Sequence, residues 1–132
     1  MFNWRRPAGL GARDGRLAAC KRSPNCVSSQ ADPADREHYI APLPFAGTIG
    51  ELRRAIERLP RVTVIGETGD YLYAEFRTPL LRYVDDVEFV KAGSLVHVRS
   101  ASRLGRRDFG VNRRRVEEIR NRLARPNQSP RP

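Results

Sequence analysis

Apolar and polar residues alternate through residues 71–103, YLYAEFRTPLLRYVDDVEFVKAGSLVHVRSASR, more regularly than elsewhere in the chain. A period of two is what a strand with one buried face requires. The dipeptide Ala92-Gly93 separates two alternating runs, and a two-residue connection of this kind is typical of a β-hairpin. The pattern therefore predicts two antiparallel strands that meet at residues 92–93.

The position of the turn determines which residues of this hairpin face each other. With Ala92-Gly93 at its centre, Lys91 lies opposite Ser94 and the other pairs follow. We expect Phe89 opposite Val96 and Val87 opposite Val98 on one face, and Asp86 opposite Arg99 and Glu88 opposite His97 on the other. Asp85 then lies on the apolar face, opposite Ser100, where a carboxylate is unexpected.

A second hairpin is predicted just before the first. Its strands are residues 62–66 and 71–77, and its turn is centred on Thr68-Gly69. This register places Ile65 opposite Leu72 and Thr63 opposite Ala74. The two hairpins together predict four antiparallel strands in a meander.

Two helices flank these strands. Thr48 and Glu51 form a capping-box pattern, and Ile49, Leu52, Ile56 and Leu59 follow at helical spacing before Pro60. This predicts a helix of about eleven residues with one buried face. A closing helix is expected from an N-cap at Asn112 to Leu123. Residues 113–115 are arginines in its first turn, where the helix dipole disfavours positive charge, so an anionic group is expected nearby.

These elements predict an α+β fold of two layers, in which a four-stranded antiparallel meander has two helices packed on one face. A chain of 132 residues is sufficient for one such domain. We expect residues 1–19 to be a flexible basic arm, residues 20–124 a single domain and residues 125–132 a disordered tail. Residues 20–33, rich in Pro, Ser, Asn and Asp, are expected to be an ordered loop without strands.

The formal net charge is +10, and it is concentrated at the two ends of the chain. Solvated basic ends and a selected surface for a polyanion are both compatible with this distribution. No apolar run approaches the roughly 20 residues that span a bilayer, and no apolar signal segment is visible near residue 1. The default expectation is a cytoplasmic protein; a periplasmic or membrane-associated one is the alternative if the start codon is misassigned.

Three motifs carry a resemblance to a known family. They are CKRSPNCVSSQ at residues 20–30, YVDDVEF at residues 83–89 and VRSASRLGRRDFGVNRRRVE at residues 98–117. With them the chain resembles the domain of unknown function family 1499, found in bacteria and plastids, and the resemblance implies no established activity. It nominates the residues that match the motifs: Cys20, Cys26, Ser28, Ser29, Asp85, Asp86, Glu88, Arg99, Ser100, Ser102, Arg103, Asp108, Asn112 and Arg113. Lys21-Arg22 and Arg106-Arg107 are more basic than the family pattern.

Cys20 and Cys26 flank a Pro-Asn turn, so a disulfide between them is geometrically possible. Simple packing of the loop and a redox or metal role remain open as alternatives. A zinc site needs two further ligands, and the chain contains only two histidines, His38 and His97. We therefore expect no metal and no cofactor.

Alternation places Asp85 on one face of its strand and Asp86 and Glu88 on the other, so the three carboxylates do not converge. We expect an ion pair between Asp86 and Arg99. Asp85 is expected to form a buried polar cluster with Ser100, Arg103 or Arg113 that fastens the last helix to the sheet. None of the serines has a histidine or lysine at a spacing that indicates an activated nucleophile.

The preferred functional hypothesis is a non-enzymatic binding or accessory domain. Its Arg-rich segment, residues 99–115, would recognise an anionic group on a lipid, a small metabolite or a protein. One alternative is nucleic-acid binding through the basic ends of the chain. The other is an enzyme that uses Asp85 or the hydroxyl of Ser100 or Ser102.

Overall fold

The computed structural model describes residues 5–125 and contains one antiparallel sheet with two helices. The sheet has six strands in the order β1-β6-β5-β4-β3, and β2 also pairs with β6. The elements, in chain order, are β1 Cys26–Ser28, β2 Leu43–Pro44, α1 Ile49–Glu57, β3 Val62–Glu67, β4 Tyr71–Arg77, β5 Val84–Ala92, β6 Leu95–Ser102 and α2 Val111–Ala124. The α+β class is confirmed, whereas the prediction of four strands is wrong.

The two additional strands are very short and both pair with β6. β1 has three residues and β2 has two, and they contact successive parts of the same long strand. The expectation that residues 20–33 contain no strand is therefore wrong. Runs this short show no alternation of their own, so their extended conformation depends on the hydrogen bonds that β6 offers.

The hairpin of β5 and β6 turns at Gly93-Ser94, one residue later than expected. Gly93 has φ +62° at the first central position, as a type II′ turn requires. The register consequently differs by two residues: Phe89 lies opposite Val98, and Glu88 lies opposite Arg99. A shift of two leaves each side chain on its predicted face but changes every cross-strand pair.

The register predicted for β3 and β4 is also wrong. Thr63 lies opposite Glu75 and Val64 opposite Ala74, and the register shifts between Val64 and Gly66. This irregularity is a β-bulge, in which one strand carries an extra residue at Ile65. A regular pairing rule applied from the turn cannot anticipate such an insertion.

Helix α1 begins as predicted. The Glu51 N–H donates to Thr48 Oγ1 at 3.1 Å, and the Thr48 N–H donates to Glu51 Oε1 at 2.8 Å, so the capping box is complete. Ile49, Leu52 and Ile56 are buried. The helix has nine residues rather than about eleven, because the last turn tightens: the N–H groups of Arg58 and Leu59 bond to carbonyls three residues back.

Helix α2 begins two residues earlier than predicted, and its cap differs. Gly110, with φ +81°, is the N-cap, and no side chain caps the helix from that position. Asp108 supplies the missing acceptors, because its carboxylate accepts from the Gly110 N–H at 2.9 Å and the Asn112 N–H at 3.1 Å. The prediction of Asn112 as N-cap is wrong, since its side chain is buried inside the fold.

The hydrophobic core combines both helices with the long strands. Ile49, Leu52 and Ile56 of α1 and Val116 and Ile119 of α2 belong to one cluster of buried side chains. The sheet contributes, among others, Leu72, Ala74, Phe76, Val87, Phe89, Val96 and Val98. No helix within residues 5–125 has the length and apolar character needed to cross a bilayer.

Residues 5–17, expected to belong to a flexible arm, contact the sheet. Arg6 Nε donates to Glu75 Oε2 at 2.8 Å, and the Gly11 N–H donates to Glu88 Oε2 at 2.7 Å. Leu17 is buried, and its N–H donates to Gln30 Oε1 at 2.8 Å. We call residues 5–17 the strap. The ends of the predicted arm and tail, residues 1–4 and 126–132, lie outside the described residues.

Candidate functional site

A buried charge network lies on the face of the sheet under the strap. Arg103 is at its centre: Nε contacts Asp86 Oδ2 at 2.9 Å, and Nη2 contacts Asp86 Oδ1 at 2.7 Å and Glu75 Oε2 at 2.5 Å. The Arg103 side chain is 7 % exposed and that of Asp86 is 2 % exposed. This two-pronged contact uses the planar geometry of the guanidinium group, which a lysine cannot reproduce.

Tyr73 completes this network. Its hydroxyl donates to Asp86 Oδ1 at 2.5 Å and accepts from Arg103 Nη2 at 3.1 Å. Burial and the hydrogen bond to Asp86 raise the pKa of Tyr73, so it stays a neutral donor. Burial works against ionisation of Glu75, but bonds from Arg6 and Arg103 outweigh it and lower its pKa. We call Tyr73, Glu75, Asp86 and Arg103 the Arg103 network.

Glu88 continues the same face and is fully buried. Its Oε2 accepts from the Tyr71 hydroxyl at 2.5 Å and from the Gly11 N–H of the strap. Arg99 lies opposite Glu88, with Nη1 at 3.8 Å from Oε1. The predicted pair of Asp86 and Arg99 is therefore wrong, because the two-residue difference in register brings Arg99 to Glu88 and leaves Asp86 to Arg103.

Asp85 points to the other face and pairs with helix α2. Its Oδ2 lies 2.7 Å from Arg115 Nη2, and the two side chains are 2 % and 11 % exposed. Burial raises the pKa of Asp85, although Arg115 and Ser102 favour the carboxylate. The expected fastening of the last helix is present, but the partner is Arg115 rather than Arg103 or Arg113. The Arg115 guanidinium also lies over the Phe76 ring, 5.1 Å from its centre.

Asn112 joins helix α2, strand β6 and the loop between them. Its Oδ1 accepts from Ser100 Oγ at 2.6 Å, and its Nδ2 donates to Ser102 Oγ at 2.9 Å and Asp108 Oδ2 at 2.8 Å. The same Nδ2 lies 3.3 Å from the Asn25 carbonyl oxygen. Both amide atoms are used, so this side chain holds the start of α2 in one position.

The polar residues that the second and third motifs nominate form two clusters instead of one. Asp86, Glu88, Arg99 and Arg103 lie under the strap, whereas Asp85, Ser100, Ser102, Asp108 and Asn112 connect β5, β6, α2 and the loop before it. Ser28 and Ser29, which the first motif nominates, are buried at β1 and lie outside both clusters. Arg113 joins neither cluster, because its Nη2 donates to the carbonyls of Arg36 and Glu37, both at 3.2 Å.

Tyr71, Tyr73, Glu75 and Arg115 also belong to these clusters, although they were not predicted from the sequence. A signal for the first three was available, because alternate residues of β4 share a face. Whether that face is also the one that carries Asp86 and Glu88 depends on the register between β4 and β5, which the sequence does not give. In the structure Tyr73 lies opposite Glu88, and Glu75 lies opposite Asp86. Arg115 was hidden among three consecutive arginines, and which of them turns inward depends on how the helix is rotated.

The serine hydroxyl that contacts an imidazole within residues 5–125 is that of Ser29. Its Oγ lies 2.9 Å from His97 Nδ1 and accepts from the Val98 N–H at 2.8 Å. Burial and the charge of Arg16 lower the pKa of His97. The 68-residue separation concealed this pair from the sequence analysis. Ser29 is only 6 % exposed; it directly follows β1, and its N–H donates to the Val98 carbonyl of β6 at 2.9 Å.

Cys20 and Cys26 form a disulfide with an S–S distance of 2.03 Å. Their sulfur atoms are therefore not thiolate ligands in this state. No group of three or more His, Cys, Asp or Glu side chains in the described part of the chain is arranged to hold a metal ion.

His38 bridges two acceptors in the loop next to this disulfide. Its Nδ1 lies 2.8 Å from Asp35 Oδ2 and its Nε2 lies 2.9 Å from the Ser23 carbonyl oxygen, so both nitrogens face acceptors. Burial lowers the pKa of His38, but the bonds to Ser23 and Asp35 outweigh it and the pKa is raised. Only the protonated ring donates to both partners.

His38→Gln is therefore expected to destabilise the protein most at low pH, by about 1–2 kcal/mol. A raised folded-state pKa means that the contribution of His38 is complete below the unfolded value near 6.5 and is lost as pH rises through the folded pKa. Urea unfolding of the native protein and His38→Gln measures this contribution at pH values from about 5 to about 8.5, a range that includes the unfolded-state pKa. His97→Gln is the control, because the lowered pKa of His97 predicts the opposite trend; a pH-independent difference for His38→Gln would contradict this account.

Two loops meet at one end of the central strands and expose apolar side chains there. Strands β4, β5 and β6 are antiparallel neighbours. The end of β4, the start of β5 and the end of β6 therefore lie side by side at this end of the sheet. Residues 78–83 and 103–110 form the loops. We call Leu80, Leu81, Tyr83, Leu104 and Phe109 the two-loop patch; Leu80 is 93 % exposed and Phe109 is 84 % exposed. They line a pocket of about 970 Å³ together with Asp85, Ser102 and Asp108.

Each loop is held in a defined conformation. In the first, the Thr78 N–H donates to the Tyr83 carbonyl and the Tyr83 N–H donates to Thr78 Oγ1, both at 2.9 Å. In the second, the Asp108 carboxylate accepts two backbone bonds, and these contribute to the lowered pKa of Asp108 despite its burial. Arg82 and Phe109 have φ values of +56° and +53°, which are costly for residues with a side chain.

Arginines surround the two-loop patch. Arg82, Arg106 and Arg107 are exposed and belong to the same two loops as the apolar side chains. Two carboxylates line the same pocket: Asp85 is paired with Arg115, and the oxygens of Asp108 are bonded to backbone N–H groups and Asn112. This end of the sheet therefore presents apolar surface with an excess of positive charge.

Comparisons with known proteins identify the family but no characterised relative. A search of curated proteins and a search of solved structures found no match. A family model described as "Protein of unknown function (DUF1499)" matches residues 16–123, which confirms the resemblance carried by the three sequence motifs. The chain therefore belongs to the DUF1499 family of proteins of unknown function.

Proposed function

We propose that this protein is a non-enzymatic binding domain that docks on an anionic lipid surface through the two-loop patch. The observation that carries the proposal is the concentration of exposed apolar side chains in two loops at one end of the central strands. Of the six large apolar side chains that are exposed within residues 5–125, five belong to the two-loop patch, and Leu95 is the sixth. Contiguous exposed apolar surface of this kind is typical of interaction sites.

The distribution of arginines supports an anionic partner. In the Arg-rich segment, Arg99, Arg103 and Arg115 are turned inward and paired with carboxylates. Arg106 and Arg107 are exposed beside the patch. Within this segment, the exposed cations Arg106 and Arg107 therefore lie next to the apolar side chains. A bilayer with anionic headgroups matches both properties, because leucine and phenylalanine enter the interface while arginine remains at the headgroups.

The expected energies are sufficient for reversible docking. A fully buried leucine contributes roughly 1.5–3 kcal/mol, and the interface removes only part of its surface from water. Each arginine near an anionic surface contributes about 1 kcal/mol. Two leucines and three arginines together give an affinity that depends on both lipid charge and apolar contact. Arg82 and Phe109 are two of the four non-glycine residues with positive φ in the described part of the chain, and backbone strain of this kind clusters at binding sites.

Two further features belong to the proposal. The scaffold is two-layered, with both helices on the face opposite the strap, and the core cluster that the helices share with Val87 and Phe89 supports this arrangement. The protein works in an oxidising compartment, because the disulfide of Cys20 and Cys26 would be reduced in a typical cytosol.

Cosedimentation with vesicles tests the proposal. We expect the protein to bind vesicles of phosphatidylcholine and phosphatidylglycerol, and to bind pure phosphatidylcholine weakly. Leu80→Ser with Leu81→Ser should weaken binding by at least about tenfold, because it removes apolar contact without changing charge. Arg106→Gln with Arg107→Gln should also weaken it by at least about tenfold, and more at low salt.

Matched controls come from the remote parts of the surface. Leu95→Ser alters the exposed leucine at the other end of β6, and Arg58→Gln removes an exposed arginine of the α1 C-terminus. Both should bind like the unmodified protein. Equal binding by the Leu80/Leu81 variant would contradict the proposal, since the net charge alone would then explain adsorption. Absence of vesicle binding would also contradict the proposal, and dimerisation that the Leu80/Leu81 variant abolishes would assign the patch to contact with a second copy of the chain.

A further inference from the structure

The strap adds a cation to a face of the sheet that is rich in buried carboxylates. Glu75, Asp86 and Glu88 are each less than 5 % exposed on this face. The sheet itself provides Arg99 and Arg103, together with Arg77, whose Nη2 lies 3.7 Å from Glu75 Oε1. The strap contributes Arg6, whose Nε reaches Glu75 Oε2 at 2.8 Å. Without Arg6 the buried Glu75 carboxylate keeps its bond to Arg103 but loses its closest cation on the solvent side, which is unfavourable in a desolvated site.

Arg6 differs from Arg103 in how it is held. The Arg103 side chain is 7 % exposed, whereas that of Arg6 is 54 % exposed, and residues 5–9 are exposed around it. The Arg6 guanidinium therefore approaches Glu75 from solvent and is anchored mainly by this one ion pair. An exposed ion pair of this kind contributes little and exchanges readily.

The same face offers more polar contacts than the strap uses. Glu88 Oε1 and Arg99 Nε are buried and have no hydrogen-bond partner among the described residues. Glu88 is fully buried, and the strap reaches it only through the Gly11 N–H on Oε2. Buried polar atoms are normally paired, so these two indicate contacts that the strap does not make.

From these observations we infer that Glu75 is the centre of a guanidinium-binding site, which Arg6 occupies within the chain and which accepts a guanidinium group from outside when Arg6 leaves. The external group would be an arginine side chain of a peptide or a free guanidino compound. The inference is independent of lipid docking, because the strap and the two-loop patch share no residue.

Chemical rescue of Arg6→Ala in the full-length chain tests the inference. Guanidinium chloride, N-acetyl-arginine amide and a peptide with the sequence of residues 5–17 are added at up to millimolar concentration, with sodium chloride to match ionic strength. Each should raise the melting temperature of Arg6→Ala saturably, since binding to the folded state alone stabilises it. N-acetyl-lysine amide should have a smaller effect, because it lacks the planar fork.

Two variants make the outcome decisive. Arg5→Ala removes an exposed neighbouring arginine and should show no saturable shift. Arg6→Ala combined with Glu75→Gln should lose the response of the single variant. A stronger effect of the peptide would indicate a peptide partner, and equal effects of all three probes would indicate recognition of the guanidinium alone. No shift in Arg6→Ala, an equal shift in Arg5→Ala, or a response that survives Glu75→Gln would overturn the inference.

Discussion

Arg103→Ala is expected to lower the free energy of unfolding by about 3–5 kcal/mol, a large fraction of the stability of a domain of this size. The substitution removes the cation that Asp86 and Glu75 share, and it leaves both carboxylates buried. Tyr73 loses one of its hydrogen bonds at the same time. Urea unfolding monitored by circular dichroism measures the difference.

A conservative variant separates charge from geometry at this position. Arg103→Lys keeps the positive charge but cannot make the two-pronged contact with Asp86, so we expect a loss intermediate between the native protein and Arg103→Ala. Arg58→Ala, at an exposed arginine, should change stability by less than about 0.5 kcal/mol. If Arg103→Ala lost no more than Arg58→Ala, the Arg103 network would not be buried as described.

Asp85→Asn should also lower the melting temperature sharply, with an expected cost of about 3–5 kcal/mol. The carboxylate is the partner of Arg115, and replacing it leaves a guanidinium that is 11 % exposed without a counter-charge. The start of α2 would then lose one of its ties to β5. Thermal unfolding of the two proteins provides the measurement.

A double variant distinguishes the ion pair from a general effect of the substitution. Asp85→Asn with Arg115→Met removes both charges and should cost less than Asp85→Asn alone, because no buried charge is left unpaired. Glu118→Gln, at an exposed carboxylate of the same helix, is the matched control. An unchanged melting curve for Asp85→Asn would rule out the buried pair.

These two predictions assign a structural role to most of the residues that the motifs nominate. Asn112 and Asp108 hold the loop that displays Phe109, and Asp85 fixes the helix that follows it. Of the side chains proposed to touch a lipid surface, Leu80 and Leu81 lie outside the three motifs, whereas Tyr83, Leu104 and Phe109 lie within them but were not among the nominated residues. The nominated residues therefore describe the support of the candidate site better than its contact surface.

The α+β class, the first helix and the faces of the long hairpin could be predicted from the sequence because each depends on local order. The capping box of Thr48 and Glu51 acts over three residues, and the alternation in β5 and β6 decides which side chains are buried whatever the register. The family could also be identified, because its motifs are continuous in the chain.

Contacts between distant segments were decided only by the tertiary structure. The turn at Gly93-Ser94 and the bulge at Ile65 make the cross-strand pairs of both hairpins differ from the predicted ones. As a result Arg99 lies opposite Glu88, and Arg103 forms the ion pair with Asp86. Strands β1 and β2 exist because β6 offers them unpaired backbone groups, and the strap contacts the sheet where the buried carboxylates of Glu75 and Glu88 accept its hydrogen bonds. A pattern along the chain records which groups must be buried, whereas their partners depend on how separate segments meet in space.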